Sequence, residues 1–480
     1  MTLAASASWF QDAISWTNDK LYGMILIYLL IGAGIYFTIR TRGMQFRLFG
    51  RMVKTIASSR DSKDGGISSF QAFAIGLASR VGTGNIAGVA IAITLGGPGA
   101  VFWMWMVAIF GMATAFIEAT LAQVFKMKWR DGTFRGGPAF YIYKGLNSWG
   151  WGAAFAVALL FTFGIAFEMV QANTIASTFE GTHGVPSWVT AIVLAVLTSA
   201  VIFGGIKAVA RVTEWIAPIM AAVYVLIAII VVILNFRHIP DVFTQIFLSA
   251  FGLREAFAGT AGGIFAAFLQ GARRGLFSNE AGMGSAPNAA STATTRHPAR
   301  QGLIQSAGVF VDTMVVCTAT AFIILSAGIY KPGQEMEGAT LTQMSVTAHI
   351  GEWMTLPMSL LIFVFAYSSI IGNYAYAEVN ADYLFKDKGD IPLRIVVVAS
   401  VAIGSMLQLN TVWNLADVAM GAMAIINLVS ILILGKWALG ALKDYEANPE
   451  GAFIAANNPY LPGKLETHVW TAENAKQWDE

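Results

Sequence analysis

Between Gly76 and Ala92 a long apolar run, GLASRVGTGNIAGVAIA, is interrupted at its centre by Ser79, Arg80, Thr83 and Asn85 around Gly82 and Gly84. Hydrocarbon offers no water to freed N–H and C=O groups, so interrupted backbone at membrane depth survives only against protein or beside a cavity. The glycines let the chain unwind at little steric cost. The freed amides, the carbonyls and the Thr83 hydroxyl are then suited to hold something charged, a carboxylate on the amides and a cation on the carbonyls. Close helix packing accounts for the small pair Gly84 and Gly88. It does not account for four polar side chains crowded inside an apolar run. A second interruption follows about 200 residues later in FSNEAGMGSAPN, from Phe277 to Asn288, with Ser278, Asn279, Glu280, Gly282, Gly284 and Ser285. Two interrupted hydrophobic helices in matching places point to a transporter with its site between them.

Other polar residues lie inside apolar runs. Glu168 and Gln171 are one helical turn apart and share a face, with Asn173 close by. They read as a cavity wall, with interhelical hydrogen bonds as the competing explanation. Ser368 and Ser369 can complete a shell of neutral oxygens around a hard cation, or bond back to their own helix carbonyls; spacing leaves both open. Asn373 follows in the same run. Glu280 is expected to pair with Arg80, Arg273 or Arg274, or to mark an ion path. Arg273 and Arg274 read first as markers of a membrane boundary. Glu118, Asp312 and Glu378 read as paired structural or gating acids. The five histidines have no metal-ligand spacing, Cys317 is the sole cysteine, and no phosphate-binding or nucleophile motif is present. The chain therefore reads as a transporter driven by an ion gradient, not an enzyme or an ATP-driven pump, and it bears no nucleic-acid signature.

The elements that must position these residues are apolar helices. Hydrophobic residues make up 56% of the 480 and charged residues 12%, and mean hydropathy is +0.62. Runs of about 20 apolar residues predict eleven spans: 21–39, 70–95, 100–125, 152–178, 188–203, 215–234, 256–276 continuing through its break to 293, 303–327, 354–383, 393–409 and 412–439. With the first set aside, ten remain, and the broken ones are the first and the sixth. That spacing is expected of two five-helix halves in inverted orientation. Lys and Arg crowd one side: Arg40, Arg42, Arg47, Arg51, Lys54, Arg60 and Lys63, then Lys126, Lys128, Arg130, Arg135 and Lys144, then later loops. The other side holds Arg237, Arg254 and Lys331. The positive-inside rule then predicts an N-terminus outside and a C-terminus in the cytoplasm of a bacterial inner-membrane protein. Met44–Ile56 is a basic amphipathic segment expected on the inner leaflet, against anionic lipid. The expected organisation is an N-terminal segment with the first helix and this amphipathic stretch (1–64), a ten-helix core (65–440) and a polar tail of little fixed structure (441–480).

Seven strings carry a resemblance: VGTGNIAGVA (81–90), GGPGAVFWMW (96–105), GMATAFIEATLA (111–122), RGGPAFYI (135–142), VQANTIA (170–176), RRGLFSNEAGMGSAPNAA (273–290) and HPARQGLIQSAGVFVDT (297–313). The chain resembles the alanine or glycine:cation symporter family, the sodium/alanine symporters, from about residue 65 to 430. The resemblance implies an all-α, leucine-transporter-like fold of five plus five helices and Na⁺-coupled symport of alanine or glycine. It implies a substrate site of Thr83, Gly84, Gln171 and Phe277, and a sodium site formed by carbonyls near Ala78 and Val81 with the hydroxyls of Ser368 and Ser369; Asn279 in the second break is expected among the substrate-binding residues too. Two positions depart from many members: Asn373 stands where they carry Trp, and Glu168 where they carry Asn. Both fall among the expected substrate-binding residues and bear on which amino acid is preferred. No cofactor beyond the coupling ion and no obligatory protein partner is expected. The rival readings are H⁺ coupling through Glu168 and an amino-acid sensor or channel.

Overall fold

The structure, a computed structural model, describes residues 16–18, 20–60, 66–253, 261–330 and 338–478. The 64/65 boundary, the residues Lys63, Arg254 and Lys331, and the start of the seventh expected span lie outside the described residues. In chain order the helices are α1 (21–40), α2 (Phe49–Ala57), α3 (Ser69–Arg80), α4 (Gly84–Gly96), α5 (Gly99–Val124), α6 (Pro138–Leu146), α7 (Trp149–His183), α8 (Ser187–Ile202), α9 (Gly205–Leu234), α10 (Ile239–Ala250), α11 (Ala261–Asn279), α12 (Ala286–Thr292), α13 (Pro298–Ser326), α14 (Ala339–Ile350), α15 (Thr355–Phe385), α16 (Asp390–Gly404) and α17 (Leu409–Ala447). All eleven expected spans correspond to helices, and both expected interruptions are present. At the first, α3 and α4 meet at a bend of 45°. At the second, α11 and α12 are separated by residues 280–285.

The halves are α3/α4, α5, α7, α8 and α9, then α11/α12, α13, α15, α16 and α17. An odd number of spans in each half inverts the second relative to the first. Their broken helices run in opposite senses, because the start of α3 is tied to the end of α12. Ser69 Oγ donates to the Thr294 carbonyl at 3.3 Å, and the Thr294 amide donates to the Ile67 carbonyl at 2.9 Å. Ser68 opens α3 with a reciprocal cap: its hydroxyl accepts from the Gln71 amide and the Gln71 side chain accepts from the Ser68 amide, each at 3.0 Å. Helix α5 runs through the middle, packed on α1, α11, α12, α13 and α17. Large apolar side chains are exposed along α8, α9 and α16, including Ile192, Val196, Ile219, Ile233 and Ile395. Such faces belong against hydrocarbon.

Three findings depart from the sequence expectation. Helices α10 and α14 fill connections read only as loops. Helix α17 runs to Ala447, beyond the expected 439. The tail after it is docked: Phe453 and Trp470 are buried, the Phe453 amide donates to the Arg296 carbonyl at 2.9 Å, and Trp470 Nε1 donates to the Gln123 carbonyl at 2.9 Å. Its apolar residues are few and widely spaced, so no periodicity announced this packing.

The end carrying most of the basic residues is closed by a clasp. A short hairpin, β1 (Met127–Lys128) and β2 (Phe134–Arg135), follows α5. Buried Arg135 donates from Nε to Asp382 of α15 at 2.6 Å and lies 3.1 Å from Asp131 and 3.8 Å from Glu378. Burial works to raise the Asp131 carboxyl, but hydrogen bonds from Thr133 and the Arg135 charge hold it below the ordinary range. Removing the cation leaves Glu378 and Asp382 uncompensated, so Arg135→Ala is expected to cost about 3–5 kcal/mol. The check is the thermal midpoint of the purified protein. A midpoint unchanged from wild type would mean that the clasp contributes nothing.

Candidate functional site

At the first break the helical hydrogen bonds stop at Val81, whose φ and ψ are −78° and 81°. The freed backbone is held from the side: the Gly82 amide donates to Asn85 Oδ1 at 3.0 Å, and Asn85 Nδ2 donates to Asp312 Oδ1 at 2.7 Å. Asp312, on α13, also accepts from Ser278 Oγ of α11 at 2.8 Å. One carboxylate thus ties both interruptions together.

The second break turns through three residues with positive φ: Glu280 at 58°, Gly282 at 96° and Gly284 at 80°. Glycine adopts this region freely, and Glu280 does so as a non-glycine residue. The Gly282 amide donates to Glu118 Oε2 at 3.1 Å, and Asn427 Nδ2 donates to the Gly282 carbonyl at 3.0 Å. Glu118 is therefore a partner of broken backbone. Glu280 accepts from Ser79 Oγ at 2.9 Å and from Ser285 Oγ at 2.6 Å. Ser79 also lies 2.6 Å from Asn373 Oδ1. The two breaks and α15 meet at this hydroxyl.

Three of the four residues expected around the cation, Ala78, Ser368 and Ser369, come together. Ser369 Oγ donates to the Ala78 carbonyl at 2.9 Å, and Ser368 Oγ approaches the same oxygen at 3.4 Å. Both serines also bond back to the Phe365 carbonyl, at 2.8 and 3.2 Å, so both readings of the pair describe this geometry. Gly82, next to Val81, sits so close that a Cβ built there would lie 2.0 Å from Ser369 Oγ. The result is a knot of carbonyl and hydroxyl oxygens at the unwound turn, a donor set suited to a hard cation.

The expected substrate residues lie beside it. The Thr83 amide donates to Gln171 Oε1 at 3.4 Å, and among the described residues the buried Thr83 hydroxyl has no hydrogen-bond partner. Gly84 faces Phe277 and Ser278: a Cβ on it would meet the Phe277 ring at 3.1 Å. Phe277 is sandwiched between Phe167 and Trp413, with ring centres at 4.5 and 4.6 Å. Glu168 is fully buried, and among the described residues neither carboxylate oxygen has a hydrogen-bond partner. Asn373 Nδ2 is buried and has no hydrogen-bond partner among the described residues either. Helices α7 and α15 pack with Phe163 against Tyr376 and Phe179 against Phe363. They are therefore antiparallel, and Glu168 lies at about the level of Asn373. A buried polar atom without a partner forfeits about 1–3 kcal/mol, so the Thr83, Glu168 and Asn373 groups are each costly to keep as they stand.

Four residues take their partners within the fold. Asn279 caps the second break, accepting from the Ala281 amide at 3.0 Å and donating toward Thr313 Oγ1 at 3.3 Å. It follows Ser278, whose Cα would lie 3.0 Å from a Cβ built on Gly84. Asn173 donates to the Gly404 carbonyl at 3.1 Å, so it belongs to helix packing. Arg273 and Arg274 do not mark a boundary. Both are buried inside α11, Arg274 paired with Asp417 of α17 and stacked 4.7 Å above Trp413, Arg273 over Tyr22 at 4.8 Å. Asp417 was missed in the sequence, although a carboxylate inside the last apolar run was signal enough. Arg80 donates to Gln305 Oε1 at 2.9 Å.

The family model described as the sodium:alanine symporter family matches residues 7–453. The chain belongs to that family. It is 48% identical over 438 residues to the probable sodium/glutamine symporter GlnT of Bacillus subtilis, covering 91% of this chain and 90% of the relative. It is 41% identical over 450 residues to the sodium/alanine symporter AgcS of Methanococcus maripaludis, covering 91% and 97%. Among solved structures it is similar in fold to MhsT in complex with L-phenylalanine, at a TM-score of 0.58 and 14% identity over 80% of this chain and 93% of that one. The protein is a multi-pass membrane transporter with the leucine-transporter fold, a cation-coupled amino-acid symporter and not an enzyme.

Proposed function

We propose that this family member carries small neutral amino acids, alanine and glycine, into the cell together with Na⁺. The observation that carries the reading is the convergence of the Ala78 carbonyl, Ser368 and Ser369 at the unwound turn, one residue from the unpartnered Thr83 hydroxyl. In this reading Na⁺ sits among Ala78, Val81, Ser368 and Ser369. The substrate carboxylate lies on the Thr83 and Gly84 amides and the Thr83 hydroxyl. Gln171 and Glu168 face the amino end, Phe277 borders the side-chain pocket, and Asn373 lines it at the level of Glu168. Asn279 acts indirectly, by shaping the second break. The ten-helix core 65–440 performs the transport. The basic end, with the C-terminus, faces the cytoplasm of a bacterial inner membrane, and the N-terminus faces out. The cycle is alternating access: ion and substrate enter between the breaks from outside, and the halves rock to release both inward.

The test is uptake of labelled alanine, glycine, serine and glutamine, in L and D forms, into proteoliposomes at fixed pH with Na⁺ or choline outside. Uphill accumulation of alanine that needs Na⁺ is expected, whereas full uptake in choline would overturn Na⁺ coupling. The unpartnered Glu168 carboxylate favours a second reading, H⁺ coupling, and that reading predicts uptake driven by a pH gradient in choline. Discrimination among glycine, alanine and serine is expected to be modest, because one methylene is worth about 1–3 kcal/mol. Thr83→Ala removes one hydroxyl donor to a charged group, about 1.5–3 kcal/mol, so KM is expected to rise about 10- to 100-fold. Unchanged uptake by a normally inserted Thr83→Ala protein would remove the residue from the site.

A further inference from the structure

Far from the breaks, at the basic end, α1, the turn Met44–Arg47 and the last turns of α17 enclose a cavity of about 540 Å³. Arg40, Arg42, Arg47, Lys436 and Lys443 line it with a single acid, Glu446. Glu446 is already paired with Arg47 at 2.7 Å. Among the described residues the other four cations have no carboxylate partner, so the cavity keeps a strong positive charge.

The level of this cavity identifies what it meets. Gly421 of α17 packs on Leu21 and Leu26 of α1, and Gly435 packs on Phe37. The two helices therefore run parallel and in step. On both, the exposed side chains change character at one level: Ile35 and Ile39 give way to Arg40 and Arg42, and Val429 and Ile433 give way to Lys436 and Lys443. Apolar faces belong in hydrocarbon, and the first cations beyond them belong at the phosphate plane. A basic recess between transmembrane helices at that plane has the chemistry that binds anionic headgroups.

We propose that this recess binds the phosphodiester headgroup of an anionic phospholipid, with Arg40 and Arg42 presenting guanidinium forks to the phosphate and Lys436 and Lys443 adding charge from the opposite wall. The acyl chains lie along the exposed apolar faces of α1 and α17 directly above. The site is separate from the transport site and requires nothing of the substrate assignment.

The experiment is native mass spectrometry of the full-length purified protein titrated with phosphatidylglycerol, phosphatidylcholine or inorganic phosphate. Wild type is expected to retain phosphatidylglycerol in preference to phosphatidylcholine. The fourfold variant Arg40→Gln, Arg42→Gln, Lys436→Gln, Lys443→Gln is expected to lose that preference, with binding on the order of 100-fold weaker. A control, Lys386→Gln with Lys388→Gln in the exposed turn after α15, is expected to keep it. Equal retention by the fourfold variant, or equal loss in the control, overturns the site. Full displacement by millimolar phosphate overturns the lipid as its occupant. Should the fourfold variant not fold, the wild-type comparison decides alone, and equal retention of the two lipids overturns the proposal.

Discussion

Gly82→Ala is expected to cut transport on the order of 100-fold in a protein that still inserts and folds. The added Cβ would fall 2.0 Å from Ser369 Oγ and 3.4 Å from Gln171 Oε1. A contact that short forces either the serine off the Ala78 carbonyl or the unwound turn away from α15. Displacements of about 1 Å in a positioned site cost on the order of 100-fold in rate, and Na⁺-dependent uptake should fall by that much. Combining it with Ser369→Ala separates two causes. The double variant loses the clashing hydroxyl but also the proposed ligand. If the defect is purely steric, the double variant recovers. If Ser369 is a cation ligand, uptake stays low and the Na⁺ concentration for half-maximal rate rises in Ser369→Ala alone. Wild-type uptake by Gly82→Ala would sink the assignment of this turn.

Glu168→Gln is expected to move stability and transport in opposite directions. A fully buried carboxylate with neither oxygen partnered is costly to keep folded. The amide has nearly the same shape and no charge, so the thermal midpoint should rise by a few degrees. If the carboxylate meets the substrate ammonium, its loss removes about 1.5–3 kcal/mol of binding, and KM should rise about 10- to 100-fold. A stabilised protein with unchanged KM would leave Glu168 without a part in substrate binding. Loss of pH-gradient-driven uptake with KM unchanged would instead support the proton reading.

Much of this was legible in the sequence because membrane helices announce themselves through composition. Apolar runs marked the eleven spans, with ends displaced by up to ten residues where α9 begins at Gly205, and the polar strings inside two of them marked the breaks. What remained hidden was pairing. Nothing in the order of residues says that Asp312 serves both Asn85 and Ser278, or that Ser79 lies between Glu280 and Asn373. Arg273 and Arg274 looked like boundary charges because periodicity cannot see Asp417, more than a hundred residues away, or the Trp413 ring beneath Arg274. Helices α10 and α14 escaped because they are short, and short apolar stretches carry little signal.

Cys317 is the chain's single thiol. It is buried within 3.3 Å of Asn85 Nδ2 and 3.2 Å of Ser278 Oγ, at the meeting of the two breaks. Nature has in effect installed one chemical clock in the middle of the molecule. A membrane-impermeant thiol reagent reaches it only when a water-filled route opens from the side to which the reagent was added. The alkylation rate from each face, with and without Na⁺, therefore times the opening of each route in the unaltered protein. Replacing that one residue also yields a thiol-free background in which pairs of spectroscopic labels can be placed at will.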